Sequence, residues 1–268
     1  MILFDAECPM CTMATKVFES GKLLDKDGRA SYQDFEPEVC PLLDRQRAAN
    51  EIAFVNKETG EVTYGIDGLL TLFSIRFPIL KQLFLFRPFV QLMSKAYAFI
   101  AFNRRVIMPA PRANNEFQFQ PVFRLDYRIA YLAVTWIITA FILSHYASLL
   151  NGLLPQGEAY REYLICGGQI FFQGSIINFL NRRKIWDYLG NMMTISFGGA
   201  LLLLPGLIVS EFANPNPIAY CAWFMAVAGL MLLEHIRRSK LLAIGGIPTL
   251  TWALYRLLVL LFILYVNL

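Results

Sequence analysis

The chain opens Met1-Ile2-Leu3-Phe4-Asp5-Ala6-Glu7-Cys8-Pro9-Met10-Cys11. Its first four residues are apolar and predict a short strand, and Met13 to Leu24 carries the spacing of a helix. Two cysteines three residues apart therefore stand where a strand hands over to a helix. A helix N-terminus exposes unpaired backbone N–H groups and the positive end of the helix dipole, which favours thiolate over thiol. Cys8 is thus expected to be the attacking thiol. Cys11, one helical turn on, is within reach to resolve a mixed disulfide. Pro9 suits a first helical turn, having no N–H to leave unsatisfied. Asp5 is placed either to accept the proton of Cys11 or to cap the helix start.

Working outward, Ala30 to Phe35 predicts a second strand. Glu51 to Asn56 and Glu61 to Gly65 predict two more, joined by a turn at Glu58-Thr59-Gly60. From Ile66 onward helical spacing dominates. An α/β layout with CxxC at its first helix predicts a thioredoxin-like fold. A lone CxxC can also be half of a zinc site, but no second CxxC or Cys/His pair follows at ligand spacing, and Cys40 is the only other cysteine of this region. Neither a metal nor a cofactor is expected. Inert cysteines are the remaining alternative.

The string Phe4 to Cys11 resembles the DxxCxxC signature of the DCC family of thiol-disulfide oxidoreductases. Tyr97-Ala98-Phe99-Ile100-Ala101-Phe102-Asn103-Arg104-Arg105 resembles that family's closing Tyr…Asn-Arg helix. The resemblance covers roughly residues 1–112 and implies a thioredoxin-like domain in which Asp5, Cys8 and Cys11 are the functional residues. It also implies a protein or small-molecule thiol or disulfide as substrate. Two positions depart from the pattern. Ala6 stands where members often have Gly, and no Pro closely precedes Ile52 to Val55, where thioredoxins place a cis-proline.

The rest of the chain has another character. Of the 268 residues 56% are hydrophobic and only 16% charged, too apolar for soluble domains alone. Charges of both signs recur up to about Arg128, and long apolar runs follow. Stretches near 128–149, 162–180, 188–210, 218–235 and 247–267 are each long enough to cross a hydrocarbon core of about 30 Å. The domain plan is therefore 1–112 redox domain, 113–127 linker and 128–268 transmembrane helical domain. Arg124 and Arg128, then Arg182, Arg183 and Lys184, then Arg237, Arg238 and Lys240 mark the inner ends. The expected product is an integral protein of a bacterial-type inner or plasma membrane, with its N-terminal domain cytoplasmic and its C-terminus outside. No cleavable signal peptide is expected ahead of the first strand. No basic arm with interleaved aromatics is present, so no nucleic-acid partner is expected.

Asp187, Asn191, Thr194 and Gly198 share one helix face, as do Cys166, Gln169 and Gln173. Such faces serve helix packing or a substrate pocket. Arg256 interrupts the last apolar run and needs a counter-ion, with Glu234 and Asp187 the candidates. His145 and His235 fall near opposite membrane faces and cannot share a metal. Cys166 and Cys221 are alternatively a relay pair. Residues 76–102, apolar but broken by Arg76, Lys81, Arg87 and Lys95, predict amphipathic helices that close the domain or lie on the inner leaflet. A membrane transporter or ligand-binding protein with a redox-sensing cytoplasmic domain is the alternative to a membrane-anchored oxidoreductase.

Overall fold

The computed structural model describes residues 1–25, 27–34, 42–111, 119–213 and 216–266. The chain divides into Met1–Tyr127 and Arg128–Leu268. Cys40, Phe35, the final residue of the predicted fifth span and residues 113–118 of the predicted linker lie outside the described residues.

In the first unit the elements run β1 (Ile2–Phe4), α1 (Pro9–Ser20), β2 (Arg29–Ser31), α2 (Arg45–Asn50), β3 (Ala53–Val55), β4 (Val62–Tyr64), α3 (Gly65–Arg76), α4 (Lys81–Leu85) and α5 (Arg87–Ile107). The strands form one mixed sheet in the order β2-β1-β3-β4. β1 pairs in parallel with β2, Leu3 opposite Ala30, and antiparallel with β3, Leu3 opposite Ala53. A parallel neighbour requires a crossover, and α1 supplies it. Because β1 lies inside the sheet, Ile2, Leu3 and Phe4 are all buried, which explains an apolar run with no alternation. The sheet thus has the mixed α/β layout that the thioredoxin-like expectation requires.

Some boundaries differ from expectation, β2 among them, which ends at Ser31 where the sequence reads a strand through Phe35. α1 starts at Pro9, in the first-turn place expected of it, with Cys8 as N-cap, and it stops at Ser20, short of Leu24. The short α2 is an addition to the expected elements: its six residues are too few to show a helical period, and its start is set by Asp44, whose side chain accepts from the N–H of Arg47 at 2.9 Å. The β3–β4 turn falls where the sequence places it, with Gly60 at φ 72°.

α3 lies close over β3 at Gly68, where a methyl group would run into the ring of Phe54. Gly68→Val is therefore expected to destabilise the domain by about 1–3 kcal/mol through overpacking. A lowered midpoint in thermal unfolding of the full chain would register this, and an unchanged midpoint would show that the ring yields freely.

The second unit is helical. It comprises α6 (Leu125–Ser148), whose first turn precedes the boundary, then α7 (Arg161–Asn181), α8 (Ile185–Phe212), α9 (Pro217–Leu241) and α10 (Ile247–Val266). Among the described residues four segments are long and apolar enough to cross a membrane, one of them the 52-residue Arg161–Phe212. A straight helix of that length would reach about 78 Å, more than twice a hydrocarbon core. It is folded: Asn181 leaves the helical region at φ −158°, ψ 82°, a single 3-10 turn follows, and α7 packs against α8. The five predicted stretches thus correspond to α6 through α10. Large apolar side chains such as Phe141, Phe171, Phe179 and Leu233 face outward, whereas Gln173, Asn191, His235 and Ser239 are buried. Polar groups inside and apolar groups outside is the arrangement that lipid demands.

Candidate active site: a dithiol at a helix start

Cys8 is the N-cap of α1, with extended backbone at φ −100°, ψ 109°. Its Sγ therefore points back at the free end of the helix, and the Cys11 N–H donates to it at 3.4 Å. Both cysteines are free thiols. Both are also buried, Cys8 at 1% exposure and Cys11 at 5%, with Phe4 and the partly buried Met10 packed around them.

Asp5 does not cap α1, since Cys8 occupies that position; it organises the loop ahead of it. Its Oδ1 accepts from the Glu7 N–H at 3.1 Å and from Gln33 Nε2 at 2.7 Å. Its Oδ2 pairs with Arg104 Nη2 at 3.0 Å and with Arg105 Nη2 at 3.5 Å. With both oxygens so engaged, Asp5 serves as the anchor of a guanidinium. Arg104 is buried as well, and donates to the carbonyls of Asn50 (2.9 Å) and Ala49. Its Nε is buried and makes no hydrogen bond. On the same helix the Tyr97 hydroxyl accepts from the Ile52 N–H at 3.0 Å, tying α5 to the start of β3.

Arg104 is the residue that spacing alone misses. Asn103-Arg104-Arg105 is visible as a resemblance, but nothing in the sequence near residue 100 tells that α5 returns to residue 5. The one available signal is a polar pair, Asn103 and Arg104, on the face that also buries Val106.

The electrostatics follow from this geometry. The Cys8 thiol is pulled down to about 6, first by the hydrogen bond it receives from the Cys11 thiol, against the opposing effect of burial, and then by the Arg104 guanidinium and the Cys11 N–H. The Cys11 thiol is pushed up, because it gives its hydrogen to Cys8 and is itself buried. The neighbouring thiol and Arg104 thus act on Cys8 beside the helix terminus that the sequence suggests. Two cysteines one turn apart emerge with opposite tendencies: one an anion near neutral pH, the other a proton holder.

A strand–dithiol–helix unit, with a buried arginine from the closing helix clamped on the aspartate ahead of the dithiol, is now in place. Residues 2–109 match the DCC1-like thiol-disulfide oxidoreductase family. The DCC1-like domain accordingly ends just past α5, and α6 through α10 lie beyond the match. No curated protein and no solved structure matches the chain significantly. The family supports a redox role for the domain.

In the helical unit part of the predicted polar faces is taken up by bonds between helices. Asp187 pairs with Arg128 at 3.5 Å, Asn191 Oδ1 accepts from Arg238 at 3.0 Å, and the Thr194 and Tyr131 hydroxyls meet at 2.8 Å. Gln173 Oε1 accepts from the Tyr188 hydroxyl at 2.9 Å, and Tyr188 in turn contacts His235 Nε2 at 3.2 Å. Gly198 has open space beside it. The counter-ions expected for Arg256 are engaged elsewhere, Asp187 by Arg128 and Glu234 by Arg237 and Arg238. Arg256 instead lies 4.1 Å over the Trp252 ring and reaches Ser196 Oγ at 3.4 Å. Cys166 and Cys221 are free and sit on different helices, α7 and α9.

Proposed function

We propose that the DCC1-like domain exchanges a disulfide with a protein or small-molecule thiol through Cys8 and Cys11, and that α6 through α10 anchor it in a membrane. The Cys8 thiolate attacks one sulfur of a substrate disulfide. That S–S bond breaks, the departing sulfur leaves as thiolate and takes up a proton, and a Cys8–substrate mixed disulfide forms. Cys11 then gives up its proton and attacks Cys8 Sγ, releasing the second substrate thiol and leaving a Cys8–Cys11 disulfide. Two electrons have passed to the substrate, and a dithiol reductant must return them. Run in reverse, the same steps oxidise a substrate dithiol.

The observation that carries the proposal is the Cys8 sulfur at the cap of α1, 3.4 Å from the Cys11 N–H, with a thiol drawn down to about 6. Asp5 acts as a positioning residue in this scheme, holding Arg104 where its charge favours the Cys8 anion. The run of basic residues at alternate helix ends supports an N-terminal domain on the cytoplasmic side and a C-terminus outside.

Trapping tests the scheme. Cys11→Ser removes the resolving sulfur, so full-length protein carrying it is expected to accumulate a mixed disulfide through Cys8, visible as a reducible adduct that mass spectrometry identifies. Cys8→Ser should form none. Equal adducts in the two variants, or none in either, would remove Cys8 from the attacking role.

A further inference from the structure

Midway along the helical unit lies a cavity of about 50 Å³, lined in part by Thr139 of α6, Cys166 and Gln169 of α7, Ser196 of α8 and Arg256 of α10. Thr139 and Gln169 are only 2% and 6% exposed, yet Thr139 Oγ1 and Gln169 Nε2 make no hydrogen bond, and neither does the buried Nε of Arg256. Buried polar atoms in a native fold find partners, and inside lipid no bulk water stands in for one. Three donors from three helices are therefore unpartnered around one space.

The charge is unmatched too. Arg256 has a hydroxyl and an indole ring as neighbours, neither of which carries a negative charge, and no ion pair reaches it among the described residues. No carboxylate lines the cavity. We propose that this cavity binds a small monovalent anion, held by the Arg256 guanidinium with Gln169 Nε2 and Thr139 Oγ1 as further donors. Size narrows the class: a cavity that admits benzene measures about 150 Å³, so a quinone ring is excluded, whereas a halide or a three-atom oxyanion such as formate is admitted. Water would satisfy hydrogen bonds but leave the cation uncompensated, so the anion is the better occupant.

Thermal unfolding of the full-length protein in detergent, with sodium bromide titrated against sodium gluconate at constant ionic strength, tests this. Gluconate is too large to enter. Bromide is expected to raise the melting temperature along a saturating curve, as ligand binding to the folded state requires. Gln169→Leu and Thr139→Val should each weaken the half-saturating concentration about tenfold, the worth of one hydrogen bond to a charged group. Arg256→Gln should abolish the effect. Indistinguishable curves in the two salts, a rise linear in bromide, or a bromide response unchanged in both Gln169→Leu and Thr139→Val would each overturn the proposal. The latter pair decides the matter even if Arg256→Gln does not fold. Because the site lies wholly within α6 to α10, its failure would leave the role of Cys8 untouched.

Discussion

Arg104→Met is expected to destabilise the DCC1-like domain by about 3–5 kcal/mol, the usual loss when one partner of a buried ion pair is removed and the other is stranded. Asp5 and Arg104 are both almost wholly buried and meet at 3.0 Å, so the remaining carboxylate has no solvent to turn to. Arg105, at 3.5 Å and partly exposed, compensates only in part. The double variant Asp5→Asn with Arg104→Met should recover part of the loss, and the coupling energy of that cycle measures the pair. Denaturant unfolding of the four proteins supplies the numbers; strict additivity would show that the contact contributes nothing. A separate readout checks the chemistry, since loss of the guanidinium should also move the ionisation of Cys8 upward.

That ionisation sets the second expectation. The ultraviolet absorbance of the thiolate, taken as the difference between the reduced protein and its Cys8→Ser variant over a series of pH values, should be half-maximal near the value of about 6 and level above neutrality. A difference absorbance still climbing at pH 8.5, the behaviour of a free cysteine, would refute it. Stability of the reduced domain follows by linkage. Cys8 loses its proton at lower pH when folded than the ordinary thiol value of 9.0. Between about 6 and 9 the unfolded chain therefore binds the extra proton, and stability rises with pH by at most about 1.4 kcal/mol per unit. The contribution is complete above 9 and vanishes as pH falls through 6. Cys11 has the opposite sign: its folded thiol is pushed up, so above 9 the unfolded chain ionises first and stability declines again. The contribution of the two thiols to the stability of the reduced form should be greatest near pH 9. Because the fold favours the thiolate, the Cys8–Cys11 disulfide should also be a stronger oxidant than one built from ordinary thiols.

Much of this is legible in the amino-acid sequence. The apolar run Ile2 to Phe4 and the Cys8–Cys11 spacing announce the strand–dithiol–helix unit because both are local signals. The turn at Gly60 is marked by its own residues, and the apolar runs beyond Arg128 by length alone. What escapes is non-local. The Asp5–Arg104 contact joins residues 99 apart in the chain, and no periodicity encodes such a meeting. The counter-ions expected for Arg256 fail for the same reason: helix positions fix the depth of Asp187 and Glu234, but which arginine each one meets depends on how the helices rotate and pack. That Cys8 itself caps α1 is hidden because a cysteine is not among the side chains usually found at an N-cap.

With only 1% of Cys8 open to solvent, hydrogen peroxide has no direct approach to the sulfur, however readily the anion would react. The steps from thiolate to sulfenic acid and then to the irreversible sulfinic acid are thus obstructed by packing, not by chemistry. In the proposed scheme a substrate that displaces Met10 from its place against the Phe4–Cys8–Cys11 cluster would collect the electrons, and an oxidant that only drifts past would not. Protection from damage and selection of a reaction partner would then be one and the same wall.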